Sequence, residues 1–161
     1  MNVLLGILQD GLFAAIAGVG FAAISNPPRV AYKYCALIAA IGHIGRYSLM
    51  TFAGFSLVFA SLAGAFLVGL LAVFIAPRVK CPPEVFSYPA LLPMIPGLYA
   101  YRTLQAFMLA LSANGEEEFG HYFYLIEFNG LTCLFVVLGM VVGQLIPIMI
   151  FKRMAYTSTR D

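Results

Sequence analysis

Long apolar stretches separated by short polar or proline-rich turns dominate this sequence. A bilayer core of about 30 Å needs about 20 helical residues at 1.5 Å rise per residue. That ruler marks out five candidate spans. The first, residues 3–24, ends at Ser25-Asn26-Pro27-Pro28, a strong helix stop. The second covers about 34–53 and is interrupted by His43 and Arg46. Gly54 allows a tight reversal into a third, 55–76, which Pro77 is expected to stop. The fourth, about 85–111, is irregular and holds Pro89, Pro93, Pro96 and Gly97. Residues 114–120 read as an acidic turn before a long fifth span, 122–151. The predicted fold class is therefore all-α, a polytopic membrane helix bundle forming a single transmembrane domain over residues 1–161.

Composition agrees with this pattern. Hydrophobic residues make up 62% of the 161 positions and charged residues 10%. Soluble domains carry about 25% charge to solvate their surface, so the expected solvent here is lipid. No secretory signal pattern precedes the first span: it lacks a basic leader and carries Asp10 within its apolar run. Cys35, Cys81 and Cys133 are scattered and form no C-x-x-C pair, which reads as helix filler or loop thiols.

Charge placement supports five spans over four. Arg29 and Lys33, Arg78 and Lys80, and Lys152, Arg153 and Arg160 all follow alternate spans. The turn after the fourth span carries Glu116, Glu117 and Glu118 instead. Positive-inside logic then puts the N-terminus outside and the C-terminus in the cytoplasm.

Five ionisable residues interrupt the spans: Asp10, His43, Arg46, Arg102 and Glu127. A charge at mid-helix costs about 2.5–3.5 kcal/mol unless it is paired or close to an interface. In the inferred orientation Asp10, Arg46, Arg102 and Glu127 share the outer half of the membrane. Two readings stand side by side. One is a structural ion-pair network; the other is a substrate or proton pathway in which an arginine attracts a carboxylate. His43 and Arg46, three residues apart, share a helix face with Ala39. His43 is either a packing residue or a proton relay, since imidazole changes charge near neutral pH.

Pro93, Pro96 and Gly97 mark the most specific local feature. Prolines remove N–H donors, so nearby carbonyls must find other partners or line a wet cavity. Either a plain kink or a functional helix break fits this cluster. Pairs such as Ala14/Gly18, Ala60/Gly64, Ala65/Gly69 and Gly139/Gly143 have the four-residue spacing of close helix packing. Asn129 and Gln144 are candidates for interhelical hydrogen bonds. No nucleotide-binding, zinc or nucleophile motif is present, so no cofactor, metal or enzymatic activity is expected. Nucleic acid is not an expected partner.

Several ordered pieces carry a family resemblance. Gln9-Asp10, Gly20-Phe21-Ala22, Asn26-Pro27-Pro28-Arg29, Cys35-Ala36-Leu37, Gly42-His43 and Arg46 come first. Pro93-Met94-Ile95-Pro96-Gly97 and Tyr99-x-Tyr101 follow in the same order. Over residues 8–105 the chain resembles the small subunit of threonine/serine-exporter-like proteins. The resemblance implies a transporter of about ten spans, built as one fused chain or as two polypeptides. It further implies a larger membrane subunit as partner, a bacterial inner-membrane location, and export of succinate or of threonine and serine. Asp10, His43, Arg46, Pro93, Pro96 and Gly97 fall on its motifs; Arg102 and Glu127 rest on the residue argument alone. A small carboxylate ranks ahead of an amino acid as substrate because intramembrane arginines suit an anion. A scaffold subunit of a larger transporter and a homo-oligomeric channel are the alternatives.

Overall fold

The computed structural model describes residues 3–151 and residue 153. Six α-helices and one short 3-10 turn account for the regular structure, and among the described residues there is no strand. The helices are α1 (Val3–Ser25), α2 (Ala31–Phe52), α3 (Leu57–Val79), α4 (Glu84–Leu91), α5 (Gly97–Leu111) and α6 (Glu116–Ile150), with the 3-10 turn at Leu92–Met94. Four of them, α1, α2, α3 and α6, are long and apolar enough to cross a membrane. The fourth span, expected over about 85–111 as one irregular helix, is instead α4 and α5, each too short to be such a helix on its own.

Three boundaries differ from those expected, each for a local reason. Helix α2 starts earlier, at Ala31, whose N–H is accepted by the carbonyl of Pro28. Pro77 does not stop α3, which runs on to Val79 and ends at Lys80 in the left-handed region, φ 54°. A proline so close to a helix end disturbs only the final turn, where the Arg78 guanidinium donates to the Phe74 carbonyl at 2.6 Å. Helix α6 takes in the acidic turn, because carboxylates are favoured at the positive end of a helix. There Glu118 reaches back to accept the Asn114 backbone N–H at 3.1 Å. Gly54 supplies the reversal between α2 and α3 with φ 64°, a conformation that disfavours a Cβ.

The chain divides into two compact units. The first comprises residues up to Met94 together with the stretch from Gly139 onward; the second comprises Ile95–Leu138. In the first unit the buried faces are built from small residues. Helix α1 buries Gly11, Ala14, Gly18 and Ala22, a single stripe along one side. Its other side exposes Leu12, Phe13 and Ile16, a surface that only lipid or another helix suits. Gly18 meets α2, where a Cβ would lie 2.8 Å from that of Ala39. Gly42 meets α3 at Val68 and at the Gly64 carbonyl. On α6, Gly143 sits directly on the Leu62 carbonyl of α3.

Helix α6 is also tied to α4 by a buried polar contact. The Gln144 carboxamide Nε2 donates to Ser87 Oγ at 2.7 Å, the interhelical bond expected of Gln144. Asn129 does otherwise: its Nδ2 donates to the Leu125 carbonyl within its own helix at 2.7 Å.

The close approach of α3 and α6 predicts a sharp contrast between two glycines. A Cβ at Gly69 would lie 2.5 Å from the Gln144 carbonyl oxygen, whereas at Gly20 it would meet nothing within 4 Å. Gly69→Ala should cost about 1–3 kcal/mol in detergent unfolding, as overpacking does. Gly20→Ala should be neutral or stabilising. Equal effects of the two substitutions would contradict the packing described.

Candidate functional site

The chemistry-bearing residues of the first unit sit beside the glycines that let its helices approach. Asp10 precedes Gly11, where a Cβ would fall 2.7 Å from Ile44 Cδ1 on α2. That proximity brings the Asp10 carboxylate to His43, with Nδ1 and Oδ2 3.3 Å apart. An ionised carboxylate only accepts, so where Asp10 is ionised the imidazole Nδ1 is the donor in this contact. His43 is 4% exposed, and its Nε2 is buried without a hydrogen-bond partner among the described residues.

One helical turn on, Arg46 uses Nη1 to donate to the Met94 carbonyl at 3.0 Å. Met94 closes the 3-10 turn, just before Pro96 caps α5. Gly64 makes room for this contact, since a Cβ there would lie 2.7 Å from Met94 Cε and 3.2 Å from Arg46 Cβ. The result is two contacts one helical turn apart on α2, involving one acid, one imidazole, one guanidinium and one main-chain carbonyl, contributed by α1, α2 and the 3-10 turn. A guanidinium carries five N–H donors, so the Met94 carbonyl leaves capacity for an incoming carboxylate.

The structure thus brings together Asp10, His43 and Arg46. Pro93 lies within the 3-10 turn that ends at Met94, while Pro96 and Gly97 belong to the second unit at the start of α5. Arg102 and Glu127 also belong to the second unit, are both exposed, and are not paired with each other. Arg102 instead lines an open groove of about 410 Å³ with Gln105, Ala106, Leu109, Leu125, Phe128 and Asn129.

Sequence reasoning missed one participant. The Met94 carbonyl is signalled only indirectly, by the donors that Pro93 and Pro96 remove nearby.

The Asp10–His43 contact makes a prediction independent of function. A double-mutant cycle of Asp10→Ala with His43→Ala should give a coupling of about 0.5–3 kcal/mol in detergent unfolding. Asp10→Ala combined with Ser87→Ala should be additive to within about 0.5 kcal/mol. Additivity in the first cycle would mean that the two side chains do not interact.

Comparison with known proteins supplies a family. The sequence profile described as "Threonine/Serine exporter, ThrE" matches residues 10–150, which takes in α6 as well as the motifs read above. A protein of Haemophilus influenzae, named only as an uncharacterized protein, is 35% identical over 153 residues. The match covers 93% of this chain and 49% of the relative, so the chain spans about half the length of that protein. No solved structure matches. A profile covering nearly all of the chain, with a relative above 30% identity, establishes the family: this protein belongs to the threonine/serine exporter (ThrE) family.

Proposed function

We propose that this chain is one component of a two-component bacterial inner-membrane exporter of small carboxylic acids. Succinate or a similar dicarboxylate is the first substrate in this reading, and threonine or serine the second. The observation that carries it is the Asp10–His43 pair beside Arg46, set in helices long enough to cross a membrane. Membership of an exporter family supports a transport role rather than an enzymatic one. In this reading the partner subunit supplies the part of the relative's length to which this chain has no counterpart.

In this reading Arg46 attracts the substrate carboxylate, for which a planar guanidinium is well suited. Asp10 and His43 respond to protons as the substrate passes. Residues 84–111 cross the membrane as two half-helices, giving five spans with the N-terminus outside. The discontinuity from Pro93 to Gly97 then lies at the central site, where free main-chain carbonyls are tolerated because they line a cavity. Both substrate classes offer a carboxylate to Arg46. The family's description favours threonine and serine, and a dicarboxylate offers a second anionic group for a second cation.

One further reading has an observation of its own. Because Arg46 already donates to the Met94 carbonyl, it serves equally well as a structural clamp in a scaffold subunit. Export assays in cells that produce both components separate the two. Arg46→Gln should lower efflux of labelled succinate by about ten-fold or more while the amount of assembled complex is unchanged. Parallel loss of assembly and efflux would favour the scaffold. Threonine efflux with no succinate efflux in the intact pair would reverse the order of substrates.

A further inference from the structure

We infer that the groove between α5 and α6, with Arg102 at its edge, is the surface against which the partner subunit packs a membrane-spanning helix bearing an aspartate or glutamate. The inference rests on the two-component reading above and adds where the partner sits and what it carries.

All residues of the groove belong to the second unit, so its shape is set by α5 and α6 alone. Its floor includes Ala106 at 3% exposure and Asn129 at 5%, and its walls include Leu109 and Phe128. Arg102 and Gln105, three residues apart, project from one face of α5 and are both exposed. Around them α5 is strongly apolar, with Leu98, Leu104, Phe107, Met108 and Leu111 also exposed. A guanidinium and a carboxamide on such a helix face either hydrocarbon, which is costly, or a polar partner.

This unit does not supply that partner itself. Glu127 is the acid on α6 closest in sequence to the groove residue Asn129, but it is two residues from it, hence roughly 200° around the helix. It does not line the groove and makes no ion pair with Arg102. Asn129 turns one Nδ2 hydrogen to the Leu125 carbonyl of its own helix. A positive charge and an amide donor at the edge of an apolar groove are complementary to a carboxylate on a helix. The contrast with Arg46 sharpens this: that arginine finds its acceptor within the chain, at Met94, and Arg102 finds none in Glu127.

The test uses the full chain produced together with its partner subunit in native membranes. The photoreactive residue p-benzoylphenylalanine is placed at Gln105 and, on the opposite side of α5, at Phe107. Irradiation at position 105 should give a cross-link to an apolar segment of the partner with an Asp or Glu within about one helical turn; position 107 should not. Arg102→Glu should then reduce the assembled complex by about ten-fold or more, and converting the partner's acid to arginine should restore it. A complex that forms normally while position 105 labels lipid alone, or a second copy of this chain, overturns the inference and leaves the two-component reading standing. Failure of any complex to form overturns both. Assembly insensitive to Arg102→Glu also overturns the inference, even with a cross-link in place.

Discussion

A carbonyl where one helix stops and another begins lacks the N–H that a continuous helix would provide, and in an apolar interior it must be satisfied by something else. At Met94 that donor is the guanidinium of Arg46, 3.0 Å away on α2. The exchange resolves two costs together. A charge within an apolar helix gains an acceptor, and a discontinuity in the backbone gains a donor. Neither feature is easily kept alone, which explains why the turn that holds Pro93 and the arginine belong to the same unit. It also means that anything competing for Arg46, such as a carboxylate, acts on the turn that separates α4 from α5.

Small residues set the distances on which this depends. Gly11 lets α1 reach Ile44 of α2, which places Asp10 beside His43; Gly64 leaves space for Arg46 and Met94 together. The glycines are thus spacers for the polar contacts as well as packing devices. The exposed leucines of α1 and Phe13 carry no such burden and are free to face lipid. Buried polar contacts that bridge helices, such as Gln144 to Ser87, fix the register that apolar packing leaves loose.

The long helices were legible in the sequence because length and apolar content decide them with no tertiary information. Their ends were less so. Pro77 was read as a stop, yet a proline in a final turn disturbs little; three glutamates read as a turn proved to be the first turn of α6. For the site, the sequence supplied the right residues without their pairings. Asp10 was grouped by depth with Arg46, Arg102 and Glu127, whereas its nearest partner is His43. Register between neighbouring helices arises from how small residues interlock, and one sequence read alone does not fix it. For the same reason Arg102 and Glu127, close in inferred depth, are not joined in the fold.

In the proposed exporter, Arg46 is the group that recognises an anion. The most direct test of that role is equilibrium binding to the purified two-component complex, comparing succinate with its uncharged diamide. The wild-type complex should bind the diacid and discriminate against the diamide. Arg46→Gln, in a complex that remains assembled, should lose most of that discrimination by weakening the diacid selectively. If Arg46→Gln keeps the same preference for the charged ligand, the anion is recognised elsewhere and Arg46 serves only to hold the turn at Met94.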